Sequence, residues 1–222
     1  MTRRILLVCG VFSSLLYAFT TVFVALQWPD YSSASQTVSE LSAIGAPTRS
    51  LWISLVVPYT LLMAGFGYGV WLSADRNRAL RLTGGVMVIY GVLGLFWPPM
   101  HLREVLAAGG GTLTDTMHIV FAMVTVLLMM LAIGFGAAAL GPQFRLYSIA
   151  TMAILAGCGA MTGVDAPRLP ANLPTPWIGV WERINIGVFL LWVVVLAVTL
   201  WNPPETDAET GRRGSAMWRA VA

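Results

Sequence analysis

Lysine is absent from this chain, and charge of either sign is scarce: 13 arginines and 10 acids among 222 residues, or 10% charged. A soluble domain carries about 25%, so a free-standing soluble globule is excluded. The missing lysine reflects composition rather than mechanism. Cysteine is limited to Cys9 and Cys158, toward opposite ends of their apolar runs. A helical rise of ~1.5 Å per residue puts them at different depths, and bridged Cα atoms lie within about 7 Å, so no disulfide is expected. Both read as buried packing residues. The chain has no Ser-His-Asp order, no nucleotide-binding loop and no Cys-rich cluster, which leaves conventional nucleotide and redox chemistry without support. No repeat of solenoid length is present.

What the chain does have is hydrophobic sequence, 57% of it, gathered in long runs. A helix crosses a bilayer with ~20 apolar residues. Six spans follow, roughly Ile5 to Trp28, Leu51 to Ser73, Leu82 to Trp97, Leu113 to Ala137, Leu146 to Gly163 and Val180 to Trp201. The third and fifth are short, so they tilt little or thin the bilayer. The first run follows Arg3 and Arg4 as a signal peptide would. It is longer than the ~7–15 residues of a signal core and lacks a clear small-residue cleavage site, so it is expected to be a true span. The fold class predicted is all-α: a polytopic membrane protein, a six-transmembrane-helix bundle over 1–202, with a disordered cytoplasmic tail over 203–222.

Orientation follows the arginines. One side holds Arg3, Arg4, Arg76, Arg78, Arg81, Arg145, Arg212, Arg213 and Arg219; the other holds Arg49, Arg103, Arg168 and Arg183. Both termini of this multi-pass cell-membrane protein are therefore expected in the cytoplasm, with the loops Pro29 to Ser50, Pro98 to Thr112 and Val164 to Gly179 facing outward. The net charge of +3 tracks this topology and needs no nucleic-acid partner.

Six ionisable residues other than arginine gather where the spans meet those outward loops: Glu40, His101, Glu104, Asp115, His118 and Glu182. Such groups are costly at a bilayer edge unless water, pairing or function supports them. Thr37-Val-Ser-Glu40 fits a capping box ahead of a short helical run, Leu41 to Ile44, stopped by Gly45. His101 and Glu104 are three apart, as are Asp115 and His118, and helical structure would put each pair on one face. These four could ligate zinc or manganese. Equally, Asp115 could cap a helix and His118 serve as an interfacial polar residue. Glu182 beside Arg183 is either an anchoring pair or a buried acid, with Asn185 one turn deeper.

Trp28, Tyr31, Trp52, Trp97, Trp177 and Trp181 fall at the same edge, where an aromatic belt is ordinary. Tyr59, Tyr90, Phe96 and Phe121 lie deeper, and aromatic faces there could shield a greasy or cationic species. Glycines recur in the second, third and fifth spans, as close helix packing in lipid requires. Pro58 is expected to kink the second span. The proline-rich loop after the fifth span reads as an ordered, extended lid.

Tyr31-Ser-Ser-Ala-Ser-Gln-Thr-Val-Ser39-Glu40-Leu41, Gly45-Ala-Pro47, Pro99-Met100-His101-Leu-Arg103-Glu104 and Asp115-Thr-Met-His118 resemble the bacterial integral membrane family called domain of unknown function 998. The resemblance covers most of the chain and implies a six-helix bundle without a settled activity. Ser42 departs from it, standing where the family often has Gly. In length, aromatic content and membrane acids the chain also looks like small bacterial membrane terpene cyclases, a looser likeness carried by no alignable motif.

The leading expectation is a membrane enzyme using acid–base chemistry on a hydrophobic, lipid-like small molecule, most concretely protonation-initiated cyclisation or isomerisation of a prenyl chain. Glu40, Asp115 or Glu182 would donate the proton, and His101 or His118 would take the last one. Trp52, Tyr59, Trp97, Phe121, Trp181 and Asn185 would line the substrate, with no cofactor. One alternative is a metal-dependent lipid hydrolase, with His101, Glu104, Asp115 and His118 as ligands and Glu40 as base. Another is a transport, sensing or assembly protein whose polar cluster holds its loops.

Overall fold

The computed structural model describes residues 1–201, so the expected tail lies outside the described residues. Within them the chain is all-α: α1 (Thr2–Ala25), α2 (Arg49–Leu72), α3 (Arg78–Gly94), α4 (Arg103–Ala107), α5 (Leu113–Ala139), α6 (Pro142–Asp165) and α7 (Ile178–Trp201). Short 3-10 turns cover Val38–Ser42 and Ala166–Arg168. Five helices, α1, α2, α5, α6 and α7, are long and apolar enough to cross a membrane. Their outward faces carry Phe12, Phe19, Ile119, Met123, Leu127, Ile149 and Leu191, all exposed. So continuous an apolar surface suits lipid and not water, and the chain is built as a polytopic membrane protein.

The sixth long helix, α3, has 17 residues. It begins four residues before the expected span because the Asn77 side chain accepts the Leu80 N–H at 3.0 Å and starts the helix there. Asn77 also donates to the Ala139 carbonyl at the end of α5. The fifth expected span is likewise longer: α6 starts at Pro142, whose fixed φ suits a first helical position. Arg145, expected to mark a boundary, donates to the Ala137 carbonyl instead. Pro58 lies on an exposed face of α2, which continues through it as one helix.

Glycine sets the closest contact in the bundle. A Cβ at Gly67 would meet the backbone of Met87 and Val88 in α3. A Cβ at Gly84 would meet the backbone of Trp71, and one at Gly91 that of Ala64. The two backbones touch, which holds a helix too short to bury much of its own surface. Elsewhere Phe66, Met63, Met87, Phe189, Trp192 and Leu196 form the core. Polar side chains stitch it together: Ser14 donates to the Leu190 carbonyl, and Trp192 Nε1 donates to Ser148.

The long helices alternate in direction. Arg3 donates to the Leu200 carbonyl, so the start of α1 meets the end of α7. At the other end of the bundle, the loops after α1, α3 and α6 converge into a cap. Cys9 and Cys158 are free and half-buried.

Candidate functional site

The cap is built first from its own sequence. Thr37 and Glu40 form the expected capping box: Thr37 Oγ1 accepts the Glu40 N–H, and the Glu40 carboxylate accepts the Thr37 N–H at 2.7 Å. The helix it starts is a 3-10 turn, and the chain leaves it through Gly45 at φ 93°, where glycine carries no penalty. Thr48 and Arg49, opening α2, donate to the carbonyls of Leu41 and Ser42 and close the loop.

Glu40 is 0% exposed, and a buried carboxylate needs a partner. Arg103 of α4 supplies it, with Nε on Oε1 at 2.8 Å and Nη2 on Oε2 at 2.9 Å. The same guanidinium donates to the Ser35 carbonyl and to Thr175 Oγ1, and Thr175 donates to Ser35 in turn. One arginine thereby joins all three loops of the cap. Both Glu40 oxygens are thereby engaged within the cap, by Arg103 and by the Thr37 N–H and hydroxyl.

Arg183 does similar work at the start of α7. Its Nη1 donates to the carbonyls of Ser33, Gln36 and Gly179, and its Nη2 to the Tyr31 hydroxyl at 2.7 Å. Tyr31 donates to the Thr37 carbonyl. Burial pushes the Tyr31 phenol above its ordinary value, with Arg183 beside it pulling weakly the other way. Gly179 permits this: a Cβ there would collide with the carbonyls of Gln36 and Ser33. Glu182 points to the other side and accepts the Val38 N–H at 2.5 Å, its one hydrogen bond among the described residues.

His101 lies in a bridge paired with Ile44, not on a helix, so it shares no helical face with Glu104. Asp115, at the third position of α5, takes its N–H at 2.6 Å and its Nδ1 at 2.9 Å. Asp115 also accepts the Thr112 N–H as the capping box of α5. Such a carboxylate is an acceptor, so the imidazole proton belongs on Nδ1 and the lone pair on Nε2. Nε2 has no hydrogen bond among the described residues, and the side chain is 16% exposed.

The four residues considered for a metal do not converge. His118 faces away from His101, its Nδ1 against the Pro98 carbonyl at 2.8 Å and its ring edge-on to Trp97. Glu104 is exposed and joins neither contact. Among the described residues, no three His, Cys, Asp or Glu side chains come close enough to hold an ion. His101 and Asp115 are paired, while Glu104 and His118 lie outside that pair.

The aromatic candidates also divide. Trp97 meets His118 and Phe121 beside α5. Trp52 and Tyr59 pack on Tyr17 between α1 and α2, and the Tyr59 hydroxyl lies 2.8 Å from that of Tyr90. Trp181 is half-buried. Asn185 donates to the Leu155 carbonyl of α6. Arg103, Arg183, Tyr31, Gly179 and Thr175 are the residues whose cap roles the sequence did not announce. The one available signal was that Arg103 and Arg183 fall among the loops that gather the acids and histidines.

The chain belongs to the family described as Protein of unknown function (DUF998), which matches residues 11–199. No curated protein and no solved structure matches it.

Proposed function

We propose that this member of the family is an integral membrane enzyme that works on a lipid-like substrate by acid–base chemistry at the cap end of its bundle, with His101 as the base. The observation that carries the reading is the Asp115–His101 pair. Asp115 fixes the ring and its tautomer, which leaves Nε2 without a hydrogen bond among the described residues on a side chain that is 16% exposed. An imidazole oriented this way presents Nε2 as the acceptor that a general base needs. Asp115 then acts as a positioning residue.

Of the three acids first considered as donors, Glu182 suits the task best, since it is held by a single hydrogen bond. In a cyclisation or isomerisation, its proton would add to an alkene carbon, the π pair forming the new C–H bond. The resulting cation would close or shift, and Nε2 of His101 would take a proton from carbon. That C–H pair becomes the new alkene. Nothing is oxidised or reduced, and the bilayer keeps out the water that would quench the cation.

The topology proposed is six crossings, with α3 as the short one and both termini cytoplasmic. Arg3, Arg4, Arg76, Arg78, Arg81 and Arg145 would then face the cytoplasm. The outward Arg49, Arg103, Arg168 and Arg183 all have partners within the protein.

The test is to incubate protein-bearing membranes with prenylated lipids in D2O and read the isomers formed by mass spectrometry. A product carrying a single added deuterium, lost in His101→Gln and Glu182→Gln, is expected. Deuterated product undiminished in both variants defeats the assignment. A second reading, a non-enzymatic sensing or assembly protein, is favoured by one fact: Glu40, Asp115 and Glu182 each accept a loop N–H. No isomer with any prenylated lipid, together with loss of fold on cap substitution, would favour it.

A further inference from the structure

We infer that the groove between the cap-end halves of α1 and α7 seats one acyl chain of an anionic phospholipid, with its phosphate on Arg183. The groove has a volume of about 220 Å³ and is lined by Tyr17, Thr21 and Val22 of α1 and by Arg183, Gly187 and Leu190 of α7. On α7 these residues recur along one face, so the groove runs down from the cap about two turns, roughly 10 Å. α1 runs the opposite way, which puts Val22 beside the rim and Tyr17 at the deep end. The lining is apolar below a single charge. Thr21 satisfies its own hydroxyl on the Ala18 carbonyl and offers the groove only its methyl and edge.

Two features point to an occupant. The first is missing volume: a Cβ at Gly187 would meet nothing within 4 Å, so α7 leaves open space where its partner helix passes. The second is unmatched charge. Arg103 is paired with Glu40, and Arg168 with Asp165. Arg183 has only neutral acceptors, the three carbonyls and the Tyr31 hydroxyl, and no carboxylate in salt-bridge range among the described residues. Its Nε–H is without a partner there, and Nη2 has one hydrogen beyond the one given to Tyr31, so donors remain for a phosphate. A cation fixed at the rim of an apolar slot, with donors to spare, is complementary to a lipid that is anionic at its head and greasy below. Nothing in this inference depends on His101 or on turnover.

The experiment uses the full chain in mild detergent, stripped of lipid, and follows thermal unfolding and native mass spectrometry as lipid is added. The probes are phosphatidylglycerol, phosphatidylcholine and free glycerol phosphate. Phosphatidylglycerol is expected to bind and to raise the unfolding temperature more than phosphatidylcholine, while glycerol phosphate does neither. Arg183→Gln removes the charge but also the clamp on the cap, so the deciding variant is one that leaves Arg183 in place. Gly187→Leu keeps Arg183 and fills the slot. It should fold with an unfolding temperature in lipid-free detergent no lower than that of the parent chain, and bind phosphatidylglycerol at least about tenfold more weakly, a change of ~1.4 kcal/mol. Equal binding of phosphatidylglycerol by Gly187→Leu, equal effects of the two lipids, or an equal effect of glycerol phosphate would each overturn the inference.

Discussion

Arg103 grips both oxygens of Glu40, Nε to Oε1 at 2.8 Å and Nη2 to Oε2 at 2.9 Å, around a carboxylate with no exposed surface. The pair joins α4 to the capping box of the first loop. A buried ion pair adds little over an apolar substitute, but removing one member strands the other charge. Arg103→Met should therefore lower stability by about 3–5 kcal/mol. Arg103→Met combined with Glu40→Gln should recover part of that loss, because no charge is left stranded. Thermal unfolding in detergent reads both. Equal losses in the single and double variants would mean that packing, and not charge, holds this joint.

The α2–α3 seam gives a second prediction. Gly67→Ala and Gly84→Ala each push a methyl group into the backbone of the facing helix. Neither helix can yield without breaking its own contacts, so each should cost about 1–3 kcal/mol. Gly134→Ala and Gly157→Ala, whose added methyls meet nothing within 4 Å, serve as controls and should be neutral or slightly stabilising. Unfolding temperatures of the four variants decide it.

Much of this bundle was legible in sequence because lipid imposes a coarse rule: apolar runs of the right length become helices. The capping box of Thr37 and Glu40 was legible too, since its partners lie three residues apart in the chain, and Asp115 was legible as a helix cap without its Thr112 partner. The helix ends were less so. Asn77 and Pro142 start their helices several residues before the apolar pattern begins. What stayed hidden was every contact of long range. Arg103 finds Glu40 across 63 residues and Arg183 finds Tyr31 across 152. His101 and Asp115 were both singled out, but His101 was placed on a helical face with Glu104, whereas it lies in a bridge and meets Asp115 instead.

Tyr31 carries a pH prediction. Burial raises its phenol pKa above the ordinary ~10, so the folded state holds the proton more tightly than the unfolded one. The unfolded state therefore releases its proton first as pH rises. Stability from this group is complete below about pH 10 and declines above it. Tyr31→Phe should lower stability at neutral pH by about 1–2 kcal/mol, through the lost bonds to Thr37 and Arg183. It should also show a shallower alkaline decline than the parent chain. Unfolding temperatures measured across pH 7 to 11, a window spanning the ordinary phenol value of ~10, give both. Parallel alkaline slopes would remove Tyr31 from the account.

Asp115 has two tasks, and substitution can separate them. It caps α5 through Thr112 and orients His101 through Nδ1. Thr112→Ala removes one side of the cap and leaves the imidazole contact in place, at a cost of about 1 kcal/mol. Asp115→Asn keeps a carbonyl oxygen for the Thr112 N–H but no longer offers a charged acceptor to the ring. The imidazole then loses its fixed tautomer and the anion that would stabilise its protonated form. If His101 is the working base, Asp115→Asn should reduce deuterium transfer to prenylated lipid by about 10²–10⁴-fold, while Thr112→Ala, of similar stability, keeps it. A helix cap with no further role predicts no difference between them. Both variants would then follow stability alone, and any effect on turnover would vanish once the assay is run well below their unfolding temperatures.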